Sequence, residues 1–450
     1  MSATDLTGDQ TFSAADLDRS IPFDPRRRLR GDVAPLLDDL GAAIRSFEER
    51  KRARRGGDHE RFENTLEALL ANIIVAAFNR VDRHRFVAVP FNFNEYVGSD
   101  LSPTAMTLLR DVLVTAGLIE GQKGYRRQAS HALDSAHARR TRLRASAKLL
   151  ELFGAHGVGR SSVGWAASRD TIAIKAPDEG LGEEPSEVAR SRSVITQTSR
   201  VIAQLELGLP DDSWERISSR YQAASDVEME RERAYAGDLT ATFLYRAFKG
   251  GWDRGGRIYG GWWINLPKLE RKHLTINGMG VVELDYGRLH PTLLFARAGI
   301  ELNFDPYLVP GVEGRAVREL GKRTFNRLVN RTPRAGRKDI RLIAMPEDRA
   351  QLPSGMSFQH YLRLLVERLS PVAQWFGSGE GLKLQREDSD LAVEVLRHFN
   401  THGLFVLPVH DSFIVPAKHE DILRNVMLKV FYDRYGFCPV IRPARNEDGP

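Results

Sequence analysis

The chain has 450 residues, 42% hydrophobic and 28% charged, an ordinary globular balance with length for about two or three domains. Its net charge of +6 is modest, and its single cysteine, Cys438, excludes a disulfide framework and a thiolate zinc site. No apolar run approaches the ~18 residues of a membrane helix, and the polar N-terminus lacks the apolar centre of a secretory signal, so a cytoplasmic location is expected.

Residues 1–58 are polar and basic and are expected to form a flexible or helical arm. Arg26-Arg27-Arg28-Leu29-Arg30 and Lys51-Arg52-Ala53-Arg54-Arg55 lie in it, and Ala138-Arg139-Arg140-Thr141-Arg142-Leu143-Arg144 follows later. Such clusters suit a polyanion, and they equally suit solvated helix faces.

Residues 59–176 read as one domain. Phe62, Leu66, Leu69, Leu70, Ile73, Ile74 and Phe78 recur at helical spacing. Ser102-Pro103 predicts a second helix, with the serine as N-cap and the proline in the first turn. Gly117 is its natural left-handed terminator. Leu118-Ile119, the turn Gly121-Gln122-Lys123-Gly124 and Tyr125-Arg126-Arg127 then predict a basic hairpin tipped by glycine. Helices followed by such a hairpin resemble the winged helix-turn-helix modules of bacterial regulators and replication initiators. The resemblance implies a helix in the DNA major groove, with Lys123, Arg126 and Arg127 tracking the backbone. Winged helices that serve as docking scaffolds are the alternative.

Residues 177–185 are rich in Gly, Pro and Glu and predict a linker. Helical periodicity over 186–207 and 214–237 completes a segment, 177–238, of linker and thumb-like helices.

Residues 239–450 carry the chemistry. Gly255-Gly256-Arg257-Ile258-Tyr259 presents an arginine on a strand whose glycines allow close backbone approach to a nucleic acid. Gly280-Val281-Val282-Glu283-Leu284-Asp285 is an apolar strand delivering a carboxylate, with a helix N-cap as the plain alternative. Around 315–328 a helix sets Arg318 and Lys322 one turn apart on one face, as a triphosphate grip requires. Phe405-Val406-Leu407-Pro408-Val409-His410-Asp411-Ser412-Phe413-Ile414-Val415 predicts a hairpin of two apolar arms around a polar tip. Two aspartates so presented can hold a pair of Mg²⁺ ions, with Mn²⁺ able to substitute, for in-line phosphoryl transfer.

The order and wording of these blocks, over residues of about 240–440, resemble family A DNA polymerases and single-subunit phage-type RNA polymerases. Leu284-Asp285-Tyr286-Gly287-Arg288-Leu289-His290 looks like the first palm motif. Arg318-x-x-x-Lys322-Arg323-Thr324 looks like the finger-helix motif, and Val409-His410-Asp411-Ser412-Phe413 like the last palm motif. Gly256-Arg257-Ile258-Tyr259 looks like the block that contacts the primer-template duplex. The resemblance implies Asp285 and Asp411 as metal ligands, Lys322 at the α-phosphate and Arg318 at the outer phosphates. It also implies His410 beside the growing 3′ end, Arg257 in the minor groove, and Tyr286, His290 and Asn330 around the nucleotide. Asn330-Arg331 replaces the family's Tyr-Gly, His290 replaces the glutamate of DNA-synthesising members, and the short interval from Lys322 to Asp411 implies reduced fingers.

The expected fold is therefore α+β and helix-rich. It comprises a right-hand polymerase palm, a small antiparallel sheet with helices, preceded by a winged-helix-like domain. The expected function is a template-dependent nucleotidyltransferase acting on primer-template DNA and nucleoside triphosphates, in mobile-element replication, priming or repair. An RNA polymerase or primase is one alternative, and a non-catalytic DNA-binding initiator or regulator with a relic palm is another. Neither dNTP versus rNTP use nor the oligomeric state is legible.

Overall fold

The computed structural model describes residues 12–13, 16–17, 19–47, 54–96, 99–124, 140–166, 170–223, 237–312, 314–333 and 340–444. Helices predominate, joined by small sheets. The chain divides into two compact units. The first comprises Met1–Arg169, Leu209–Thr242 and Gly261–Glu270, and the second Asp170–Gly208, Phe243–Gly260 and Arg271–Pro450.

In the first unit a sheet of order β1-β3-β5-β4 is built from β1 (Ile21–Pro22), β3 (Val87–Val89), β4 (Ile119–Gln122) and β5 (Thr141–Ala145). A separate ribbon pairs β2 (Arg27–Leu29) with β6 (Val163–Trp165). Three helices, α1 (Ala34–Phe47), α2 (Gly56–Ala77) and α3 (Pro103–Thr115), pack a common core, and α4 (Ala147–Ala155) follows β5. The second half of α2 is buried on every side, which makes it the central helix. Ser102 caps α3 by accepting from the Ala105 N–H at 3.1 Å, and Gly117 beyond it has φ +67°.

Three expectations for this half change. The N-terminal arm is part of the core: β1, β2 and α1 belong to it, with Leu36, Leu40 and Ile44 buried. Among the described residues, parts of the first and third basic clusters are consumed internally, while Lys51, Arg52, Ala138 and Arg139 lie outside them. Arg27 and Arg28 are buried, Arg27 against Asp238 and Thr240 and Arg28 against Asp100, while Arg144 pairs with Glu120. The hairpin also differs, because Gly121 and Gln122 lie within β4, not in a turn. Gly121 is needed there for packing: a Cβ would meet the Arg142 carbonyl oxygen at 2.2 Å. Lys123 is exposed at the end of β4, whereas Arg126 and Arg127 lie outside the described residues.

The expected thumb-like helices divide between the units. The helix Asp211–Ala223 belongs to the first, where Trp214 packs at a tilt against Trp262 and Arg216 pairs with Glu270. In the second unit, β7 (Ile172–Lys175) precedes α5 (Ser186–Ile202), which is followed by β8 (Leu207–Gly208). There β7 joins β9 (Tyr245–Lys249) and β10 (Gly251–Tyr259) in a three-stranded sheet.

The larger sheet of the second unit has the order β13-β14-β12-β11-β8. Its strands are β11 (Thr275–Ile276), β12 (Met279–Gly287), β13 (Leu407–Val409) and β14 (Ser412–Pro416), with β15 (Val440–Pro443) also paired to β12. Helices α6 (Leu289–Arg297), α7 (Arg315–Asn330), α8 (Phe358–Arg368), α9 (Gly381–Thr401) and α10 (Glu420–Tyr435) accompany it. Strand β12 is central because its alternation serves both neighbours. Leu284 and Tyr286 are buried at 0% and 2% exposure, leaving Glu283 and Asp285 for the other face.

Candidate active site

Strands, helices and turns of the second unit converge on one cavity of about 300 Å³. It is bordered by Arg257, Asp285, Tyr286, Arg288, His290, Tyr307, Arg318, Lys322, Asn326, Asn330, Gln385, Asp411 and Arg442. Most of the residues singled out from the sequence therefore meet here, although they span more than 150 positions of the chain. Two do not fit that simple picture, Tyr286 and His410.

Asp285 arrives on β12, whose antiparallel ladder with β14 sets Asp285 opposite Ser412 and Leu284 opposite Phe413. Asp411 occupies the two-residue turn between β13 and β14, beside His410. Its backbone carbonyl accepts the Tyr286 N–H at 3.4 Å, tying the turn to β12. Its carboxylate makes no hydrogen bond or salt bridge among the described residues. Asp285 is different, because Arg442 Nη2 on β15 lies 3.5 Å from its Oδ2. Glu283, on the same face as Asp285, is committed to Arg271 at 2.9 Å and to the Ser412 hydroxyl at 2.7 Å.

His410 has φ 58°, a left-handed conformation that a non-glycine residue adopts at a cost of order 1 kcal/mol or more. Its ring lies edge-on to Tyr259 with centroids 5.5 Å apart, and its buried Nδ1 has no hydrogen-bond partner among the described residues. Burial, reinforced by the Arg257 charge, pushes its pKa down, so the imidazole is neutral. Tyr286 borders the cavity, but its ring packs between Phe413 and Phe431 and its hydroxyl donates to the Met427 carbonyl at 2.8 Å. Burial raises its pKa far above the ordinary tyrosine value. The phenol is thus packed into the core, while the residue still borders the cavity.

Helix α7 presents Arg318, Lys322, Asn326 and Asn330 at successive turns along the cavity, while Leu320, Phe325 and Leu328 are buried behind them. Arg318 pairs with Asp305 at 2.7 Å and lies over the Tyr307 ring. Lys322 is exposed and makes no hydrogen bond or salt bridge among the described residues. Arg323 turns away to Asp348 and Gln351. Gly321 sits mid-helix because the Tyr307 carbonyl oxygen would lie 1.9 Å from a Cβ at that position. Asn330 Oδ1 would similarly meet a Cβ on Gly381 at 2.0 Å, which sets the start of α9 against the end of α7. Among the described residues, only Pro346–Ala350, α8 and a short turn at Ser370–Trp375 intervene between these helices.

Arg257 stands on β10 just past a bulge, where the register with β9 shifts at Gly255. Gly255 and Gly256 have φ 75° and 80°. A Cβ on Gly256 would lie 2.9 Å from the Phe248 ring and 3.0 Å from Arg246 Nη2. These glycines therefore bend the strand inside the protein, a different need from the backbone approach to nucleic acid expected of them.

Asp388 on α9, absent from the residues expected at the site, is the fully buried carboxylate that orients this corner. Its Oδ2 accepts from Arg257 Nη2 at 2.6 Å and lies 3.0 Å from His290 Nε2. Burial works to lower the Arg257 pKa, but Asp388 outweighs it and holds the guanidinium above its ordinary value. Asp388, Gln385 and Arg442 were all missed. A charged residue inside the apolar stripe of a long amphipathic helix was the available signal for Asp388; Arg442 offered none.

The cavity thus combines two carboxylates with Arg257, Arg288, Arg318, Lys322 and Arg442. No group of three or more His, Cys, Asp or Glu side chains suited to a metal occurs among the described residues, so a closed protein cage is absent there. Mg²⁺ does not need one: it is commonly held by one or two carboxylates plus waters and substrate phosphates. The oxygen donors of Asp285 and Asp411 fit that mode, and the surrounding cations fit a polyphosphate.

No family model and no curated protein matches the chain. Among solved structures, the POL domain of Pol1 from M. smegmatis, in complex with DNA primer-template and dNTP, matches with 12% identity and a TM-score of 0.32. The match covers 60% of this chain and 57% of that one, so less than two thirds of the matched chain is spanned. A likeness at that level supports no statement about the site.

Proposed function

We propose that the chain is a template-dependent nucleotidyltransferase that joins a nucleoside triphosphate to a 3′-hydroxyl on primer-template DNA. The observation that carries the proposal is the convergence of Asp285, Asp411, Arg318 and Lys322 on one cavity of about 300 Å³. A carboxylate pair facing a basic helix face is the arrangement that two-metal phosphoryl transfer requires.

In this reading Asp285 and Asp411 hold the Mg²⁺ ions. When bound, these ions polarise the attacking hydroxyl and neutralise charge on the leaving phosphates. The 3′-oxygen forms a bond to the α-phosphorus, the bond to the β-phosphate bridge breaks, and pyrophosphate departs. Lys322, which makes no hydrogen bond or salt bridge among the described residues, meets the α-phosphate and can supply a proton to the leaving group. Arg318 spans Asp305 and the outer phosphates. Asp388 keeps Arg257 and His290 in place at the duplex and nucleotide side of the cavity.

The order α2-β3-α3-β4-β5 in the first unit, with β5 between β3 and β4, supports a winged-helix reading. Helix α3 offers one cation, Arg110, already paired with Asp111. Phosphate contact would then fall mainly to the segment beyond Lys123.

One observation favours a second reading, a DNA-binding initiator or regulator with a relic palm. Asp285 already has a cationic neighbour, Arg442, at 3.5 Å and does not need a metal for charge balance. Primer extension with Mg²⁺ and dNTPs or rNTPs separately tests the two. Templated incorporation of either nucleotide supports the enzyme, and incorporation of neither sinks it.

A further inference from the structure

Arg442 belongs to none of the motif-bearing segments, yet the fold aims it at the metal-ligand position. Strand β15 pairs with β12 so that Arg442 is the register partner of Asp285, with Ile441 opposite Tyr286 and Val440 opposite Gly287. Gly287 leaves space for its side chain, since a Cβ there would lie 3.4 Å from Arg442 Nε and 3.3 Å from Val440. The guanidinium passes over that glycine and ends 3.5 Å from Asp285 Oδ2. Tyr307 borders the same cavity, and its hydroxyl feels the charges of Arg318, Arg442 and Arg288 together. Arg442 thus contacts one of the carboxylates and borders the same cavity as the cations of α7.

We infer that Arg442 is an exchangeable counter-ion: it neutralises Asp285 in the empty site and moves to the polyphosphate when a divalent cation takes the carboxylate. The inference rests on the reading of Asp285 and Asp411 as metal ligands. A guanidinium and a divalent cation a few ångströms apart repel each other, so each weakens the other's hold on one carboxylate. The polyphosphate supplies new oxygen acceptors for the released fork. Metal and nucleotide binding are thereby coupled through this chain's own residue, since each relieves the obstacle to the other.

The test measures Mn²⁺ binding to the full chain by the paramagnetic resonance signal of the free ion, without any turnover. Wild type is compared with Arg442→Met, which keeps the stem over Gly287, and with Arg442→Lys, which keeps the charge. Asp411→Asn identifies the binding that belongs to the site. The expected result is that Arg442→Met binds Mn²⁺ about three- to tenfold more tightly than wild type, the range of a partly exposed ion pair, while Arg442→Lys stays close to wild type. Adding a non-hydrolysable nucleoside triphosphate should tighten Mn²⁺ binding more in wild type than in Arg442→Met. Equal Mn²⁺ affinities in wild type and Arg442→Met overturn the inference, even if wild type extends primers. Absence of any Mn²⁺ binding that depends on Asp411 overturns it together with the metal-ligand reading. Metal binding that follows the expected pattern without nucleotide incorporation upholds the counter-ion and removes the polymerase.

Discussion

Asp285 on β12 stands opposite Ser412 on β14, the residue that follows Asp411, so one antiparallel ladder fixes the spacing of both carboxylates. The same strand pairs on its other edge with β15 and thereby acquires Arg442. Asp285 is strand-borne and Asp411 sits in the adjoining turn, while Arg318 and Lys322 reach the cavity from a helix.

Lys322 and Arg318 lie on one face of α7 but differ in their partners, so their removal should separate binding from stability. Lys322→Ala should leave thermal stability within about 0.5 kcal/mol of wild type. It should lower kcat/KM for the nucleotide roughly tenfold to a hundredfold, the loss of one charge-assisted hydrogen bond. Arg318→Ala should add a stability loss of up to about 1 kcal/mol, because Asp305 is left unpaired. Thermal melts beside single-nucleotide extension give both quantities.

Arg27 sits in a basic run yet is 7% exposed and paired with Asp238. Breaking a buried pair from one side costs about 3–5 kcal/mol. Arg27→Ala should therefore show a large fall in the denaturation midpoint. The slope of DNA affinity against salt should not change, since this side chain neutralises no phosphate. A shallower slope with unchanged stability would return Arg27 to the DNA-binding surface.

Glu67 on α2 is half-buried, and desolvation, only partly offset by a hydrogen bond from the Leu29 backbone, raises its pKa above 4.5. A carboxyl raised in the folded state contributes stability below its unfolded pKa and loses that contribution as pH rises through the folded value. Glu67→Gln keeps an acceptor for Leu29 without the charge. Its melting temperature should match wild type near pH 4 and exceed it at pH 7. A gap that does not widen with pH would contradict this.

What the sequence made legible was whatever local chemistry determines. The serine-proline start of α3, the apolar arms around His410-Asp411 and the one-turn spacing of Arg318 and Lys322 follow from periodicity and capping. The misreadings come from long-range pairing. Gly121 reads as a turn glycine, but its backbone lies against Arg142 across a ladder. The cluster at Arg26–Arg30 reads as a polyanion surface, but Arg27 finds Asp238 211 positions away. Arg442 reaches Asp285 over 157 positions, and no local pattern encodes such a meeting.

The most direct test of the central claim replaces Asp411, whose carboxylate makes no hydrogen bond or salt bridge among the described residues. Asp411→Asn should fold with a melting temperature near that of wild type and should bind primer-template DNA with similar affinity. Templated incorporation with Mg²⁺ should fall by several kcal/mol of transition-state stabilisation, on the order of a thousandfold. Incorporation by Asp411→Asn at the wild-type rate would contradict the account.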